Sequence, residues 1–183
     1  MKTVIVILSI LLSTSAFAKR SKRTGVNFGT SVRALATETK HNDQISEYSS
    51  RLIKPHLGYS IGGVFNLGLT GVFERTRYLD KDNQEEITLT NGGHLFGRLL
   101  FGRVFFFELA AGLVGTTVEK QDTIDIYSGP SIMIGGGLEL PLGLDFHAST
   151  QVIYTINSLE GDGELSYSSE QSELLFGLSH YMR

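Results

Sequence analysis

Three groupings of residues in this chain carry types that could do chemistry. His147-Ala148-Ser149 sets an imidazole and a hydroxyl two positions apart, on one face of an extended strand, and Glu160 follows downstream. A hydroxyl nucleophile, an imidazole base and an orienting carboxylate are the types that acyl hydrolysis uses. Asp80-Lys81-Asp82-Asn83-Gln84-Glu85-Glu86 offers oxygen ligands for calcium. A twelve-residue calcium loop, however, needs Gly at its sixth position and Glu at its twelfth, where Glu85 and Asn91 stand. The third grouping is a set of charges embedded in apolar segments: Arg33, Lys54, Glu74, Arg98, Glu108, Glu139 and Asp145. There is no Gly-rich phosphate loop, no metal-ligand spacing among the five histidines and no cysteine. We therefore expect no cofactor and no metal.

The elements that must position these groups read as strands. Val26, Phe28, Thr30, Val32, Ala34 and Ala36 alternate with Asn27, Gly29, Ser31 and Arg33. Ile53, Leu57, Tyr59 and Ile61 alternate with Lys54, His56, Gly58 and Ser60, and Leu67, Leu69, Gly71 and Phe73 with Gly68, Thr70, Val72 and Glu74. The same period of two recurs around Leu95–Phe101, Phe105–Leu113, Ile132–Leu140, Phe146–Ile156 and Leu174–Leu178, which makes eight strands. Three connections read as tight, at Gly62-Gly63-Val64, 101–103 and Pro141-Leu142-Gly143, and four as long and polar, at 38–47, 79–86, 118–126 and 158–172. Pro55 falls inside the second strand and predicts a bulge, because its missing N–H breaks a ladder. Asn91 would face outward among apolar neighbours if the fourth strand reaches it.

The polar face decides what surrounds such a barrel. A water-facing strand surface is rich in Lys and Glu, whereas this one is mostly Gly, Ser, Thr and Ala. Small residues suit the cramped interior of an eight-stranded barrel, which holds side chains alone. Charged residues are 19% of the chain, against about 25% in soluble domains. The apolar faces are thus expected to meet lipid. Even strand number, short turns at one end and long loops at the other describe an outer-membrane barrel with both termini periplasmic.

The N-terminal residues read as an export signal. Lys2 precedes the apolar run from Val4 to Leu12, and Ala16-Phe17-Ala18 offers small residues at the cleavage site. An apolar run of roughly ten residues is too short to span a bilayer. The expected organisation is a signal peptide over 1–18, a basic periplasmic flank over 19–23 and the barrel domain over 24–183.

On these eight strands, and on the terminal alternation Leu174, Phe176, Leu178, residues 24–183 resemble the small outer-membrane barrels of the OmpA transmembrane-domain and OmpX type. The resemblance implies an all-β, antiparallel, eight-stranded transmembrane barrel. Members of that family usually end on an aromatic residue used as an assembly signal, a place taken here by Tyr181 or Met182. His147 and Ser149 with Glu160 are also similar to the pair and downstream carboxylate of lipid A deacylases, but Thr150 stands where those enzymes usually carry Asn. Those enzymes expose the pair to lipid, and alternation turns it inward here.

The functional expectation is a non-enzymatic barrel with a charge-paired, plugged lumen that supports envelope integrity or adhesion through acidic outer loops. A narrow ion or solute channel is the alternative, and a lipid-modifying enzyme comes third. Glu139 and Asp145 are expected to lie opposite each other across a hairpin, where both stay ionised only if Arg98 reaches between them. Arg51, Arg75 and Arg77 would form a rim for lipopolysaccharide phosphates. Outer-membrane lipid, lipopolysaccharide and the barrel-assembly machinery are the expected partners of a monomer, with no role for nucleic acid.

Overall fold

A computed structural model describes residues 23–39, 47–79, 85–101, 104–120, 123–161 and 166–182. Residues 1–22, where a signal peptide and most of a basic flank are expected, the turn residues 102–103 and part of the acidic run at 80–84 lie outside them. Eight strands follow one another: β1 (Gly25–Thr39), β2 (Glu47–Ile61), β3 (Phe65–Leu79), β4 (Glu85–Phe101), β5 (Phe105–Lys120), β6 (Thr123–Gly143), β7 (Phe146–Gly161) and β8 (Ser166–Tyr181). Each pairs antiparallel with the next, and β8 returns to β1 from Asn27↔Tyr181 to Thr39↔Glu170, closing the ring. Hydrocarbon offers no partner for backbone N–H and C=O, so closure is what lets strands cross it.

The two faces separate as the alternation requires. Phe28, Val32, Ile53, Leu57, Leu67, Phe73, Leu99, Phe107, Ile134, Val152 and Phe176 all point outward and stay exposed. Leu95 and Leu113 are each 70% exposed. Soluble monomers rarely expose contiguous apolar patches beyond a few hundred Å². A wall that is apolar all round fits a bilayer and not water. Phe101 and Phe105 stack at 6.5 Å beside the short-turn end, and Phe146 packs on His180 at 4.4 Å in the same zone. No helix among the described residues is long and apolar enough to cross a membrane.

Inside, the strands approach so closely that side chains are rationed. A Cβ on Gly112 would lie 2.0 Å from the Gly93 carbonyl oxygen, so β4 and β5 can lie together there only over glycine. The β2–β3 turn, Gly62-Gly63-Val64, has both glycines at positive φ, as expected from the sequence.

Four expectations need correction. The β6–β7 turn falls at Leu144-Asp145, both at positive φ, and not at Pro141-Leu142-Gly143, which extends β6 with a bulge between Pro141 and Gly143. Two left-handed residues give the tight turn that the strand twist favours, and Asp tolerates that conformation. Glu139 therefore pairs with Ser149 and is not opposite Asp145. The connection expected over 118–126 is mostly strand, since β5 and β6 pair up to Lys120↔Thr123. Pro55 makes no bulge: Ile53↔Phe73 and His56↔Thr70 keep one register, and the β2–β3 ladder lapses between them. The Pro55 carbonyl still accepts the Thr70 hydroxyl at 3.0 Å.

Gly112→Val is expected to destabilise the refolded barrel by at least about 1–3 kcal/mol through overpacking. Gly93→Val, where an added Cβ meets nothing within 4 Å, should be nearly neutral. Urea unfolding in lipid vesicles compares the two.

Candidate functional site: the charge lock of the lumen

Alternation sends Arg98, Glu108, Glu139, Arg33, Lys54 and Glu74 inward, and the chain just before β1 adds Arg23. An ion taken out of water costs several kcal/mol unless partners with good geometry surround it. The lumen meets that requirement in two separated clusters.

At the short-turn end the Glu139 carboxylate is the hub, and its residue is fully buried. Arg98 Nη1 reaches Glu139 Oε2 at 3.0 Å, while Arg98 Nε and Nη2 donate to Glu108 Oε2 at 2.9 and 2.6 Å. Arg98 and Glu108 are direct cross-strand partners of β4 and β5, so the fork needs no long reach. Tyr181, at the end of β8, donates its hydroxyl to Glu139 Oε1 at 2.8 Å. Arg23 Nε lies 3.4 Å from the same oxygen, and Arg23 Nη2 donates to the Glu139 carbonyl at 2.8 Å. The Arg98 guanidinium also sits 4.3 Å from the centroid of the Phe106 ring. One carboxylate thus ties β4, β6, β8 and the chain entering β1. Asn27 and Asn66 exchange amide hydrogen bonds of 3.0 and 3.1 Å in the same half.

Toward the long-loop end, Arg33 grips Glu74 at 2.7 Å, together with Glu173 and Ser50. The Ser50 and Thr76 hydroxyls donate to Glu74 at 3.1 and 2.9 Å. Between the clusters runs an apolar layer of Leu52, Val72, Phe96, Ala110, Met133, Ile153 and Leu175. The lumen is therefore not polar throughout, as the sequence suggested, but charged at two levels and oily between them. Lys54 stands in that layer, its Nζ 3.4 Å from the Met133 Sδ. It shares the outer half with Arg33 and Glu74 as expected, yet its ammonium has no carboxylate within ion-pair distance among the described residues. A lumen cavity of about 20 Å³ beside it has room for about one water.

The remaining candidates are dispersed. Asp145 sits in the β6–β7 turn, where its carbonyl accepts the Tyr181 N–H at 3.0 Å. His147 and Ser149 are buried on the lumen side, as their parity requires, with the His147 ring 4.9 Å from that of Tyr181. Glu160 lies far along β7 and faces outward, so the three do not meet. Arg51 and Arg75 face outward as direct β2–β3 partners. Arg77 pairs with Glu85 at 2.6 Å. Asn91 also faces outward, between Phe73 and Gly115. Among the described residues no three His, Asp or Glu converge to hold a metal. Arg23 and Glu173 escaped the sequence reading. Glu173 shares the parity of Gly177 and Ser179, a usable signal, whereas Arg23 precedes the strand and obeys no alternation.

A closed ring of eight antiparallel strands, apolar outside and charge-paired inside, has the fold of the small outer-membrane β-barrels. Its fold is similar to that of Neisserial surface protein A, with a TM-score of 0.53 and 11% identity over 89% of this chain and 100% of that one. It is likewise similar to Ail, the attachment invasion locus protein of Yersinia pestis, at 0.52 and 12% over 88% and 99%. No protein-family model matches the sequence, and no curated protein does. At such identities the likeness is one of fold.

Tyr181→Phe removes one donor from Glu139 while keeping the ring. It should lower unfolding free energy by about 1.5–3 kcal/mol, the worth of a hydrogen bond to a charged group, in denaturant titrations of the refolded protein.

Proposed function

We propose that this chain is a closed monomeric barrel of a bacterial outer membrane, with periplasmic termini, that supports the envelope or its attachments through its long-loop end and does not conduct. The observation that carries this reading is the Glu139 hub, which joins Arg98, Arg23 and Tyr181 across the lumen. The apolar layer above it leaves room for about one water beside Lys54, and hydrated ions have no path through such a stack without breaking the pairs. The runner-up, a narrow channel, draws on Lys54, whose free ammonium beside the cavity is the one lumen cation not held by a carboxylate among the described residues. An enzymatic role finds no support in the geometry of His147, Ser149 and Glu160.

The rim belongs to the same proposal. Arg51 and Arg75 are like charges directly opposite on adjacent strands, an arrangement that costs stability unless an anion lies between them. They sit one outward step beyond Ile53 and Phe73, toward the loops, where an outer leaflet would place its phosphates. Guanidinium forks suit lipopolysaccharide phosphates, and Asn91 beside Phe73 adds an amide at the same border. The outward run Leu174, Phe176, Leu178, continued by His180 and Met182, is the surface offered to the barrel-assembly machinery, because Tyr181 is turned inward.

In planar bilayers the wild-type protein should be silent and Arg98→Ala should give steps or noise. Reproducible steps from wild type would shift the reading to a channel. Arg51→Gln/Arg75→Gln should retain several-fold less lipopolysaccharide on purification, measured as bound lipid per barrel, without loss of folding.

A further inference from the structure

The eight strand pairs do not close equally. The other seven ladders run on toward the long loops, to Leu79↔Glu85, Glu86↔Lys120, Lys120↔Thr123, Tyr127↔Gly161, Glu160↔Ser166, Thr39↔Glu170 and, for β2 with β3, Glu47↔Leu79. The β1–β2 ladder alone stops in mid-wall, at Val32↔Ile53. Beyond that point Arg33 and Leu35–Thr39 of β1 pair with β8 across a bulge at Ala34, and Glu47–Leu52 of β2 with β3, but the two edges do not pair with each other. Two strand edges therefore face one another across a split about 20 Å long, at roughly 3.3 Å per residue.

A split of this kind inside hydrocarbon leaves N–H and C=O groups without partners, at several kcal/mol each. Its position resolves this. Behind it, on the lumen side, Arg33 joins Ser50 of β2 and Glu74 of β3, so the split does not open into the barrel. On the outer side its lower lips are apolar, Val32 and Ile53, while Arg51 stands on the β2 edge itself with Arg75 directly behind it on β3. Neither arginine has a carboxylate partner among the described residues. Among the described residues, the slot thus combines backbone donors that the β1–β2 ladder leaves without a strand partner, two guanidinium groups without a carboxylate partner and an apolar floor.

We infer that the β1–β2 split is a slot for the phosphorylated headgroup of an outer-leaflet lipid, with backbone N–H groups and Arg51 and Arg75 donating to phosphate oxygens. The acyl chains would then lie along Val32 and Ile53. This rests on the membrane placement and the rim proposed above, and adds to them an open seam as the binding feature. Free inorganic phosphate has the same oxygen chemistry but no tail for the apolar lips.

The chain has no cysteine, so introduced pairs report distance without interference. In the refolded full chain, Phe28→Cys/Leu57→Cys, partners in the paired half, should form a disulfide on mild oxidation. Ala34→Cys/Arg51→Cys, which an unbroken ladder would make partners, should remain reduced. Crosslinking of the second pair at the rate of the first would overturn the slot, yet would leave lipopolysaccharide retention through Arg51 and Arg75 standing. A nitroxide on Ala34→Cys should lose its mobile component in phosphatidylcholine vesicles containing phosphatidic acid and keep it in phosphatidylcholine alone. Arg51→Gln/Arg75→Gln should abolish that difference. Equal immobilisation by inorganic phosphate added to phosphatidylcholine vesicles would overturn the lipid assignment, as would no response to either.

Discussion

A single carboxylate governs this barrel. Glu139 is buried at the short-turn end of a lumen too narrow for bulk water, and its charge is tolerable because Arg98, Arg23 and Tyr181 all reach it. Breaking such a pair by removing one partner typically costs about 3–5 kcal/mol, because the other charge stays buried. The groups it gathers come from β4, from the segment entering β1 and from the last residues of β8. The first and last strands are the ones whose meeting closes the ring, so a local charge requirement is coupled to global closure. Backbone bonds reinforce it: the Met182 N–H donates to Val26 and the Tyr181 N–H to Asp145.

The rest of the interior follows from that anchor. Arg98 is committed to Glu108 and Glu139, and Arg33 to Glu74 and Glu173, so the lumen charges are satisfied in two cells separated by side chains such as Phe96, Met133 and Leu175. An inverted protein of this kind has little hydrophobic core to draw on. Its apolar surface is outside, and internal order comes from pairing and close strand contact. The seam between β1 and β2 lies in the half where Arg33, rather than the ladder, holds the neighbouring strands together.

Most of the wall was legible in the sequence, because two environments imposed on a period-two element leave an unmistakable alternation. The parity of Arg33, Lys54, Glu74, Arg98, Glu108 and Glu139 put all six inside, where they lie. The partnerships were less legible. Asp145 appeared to oppose Glu139 because Pro141-Leu142-Gly143 looks like a turn, whereas a bulge carries β6 past the proline and the chain turns at two left-handed residues. Strand ends were also hidden: beyond the bilayer both faces meet water, alternation fades, and Lys120 and Thr123 looked like loop residues. Arg23 carries no parity at all, and its place at Glu139 depends on how the chain folds back over the barrel mouth.

The most direct test of this account is a double-mutant cycle between Arg98 and Glu139, using Arg98→Met, Glu139→Gln and the double variant, read as unfolding free energy in lipid vesicles. Each single change should cost about 3–5 kcal/mol, and the double variant should lose clearly less than the sum, because the Arg98–Glu139 pair is then removed whole. Glu108 and Arg23 each lose a partner in the single and double variants alike. Additive losses, or a Glu139→Gln variant as stable as wild type, would contradict the claim that this carboxylate holds the barrel closed.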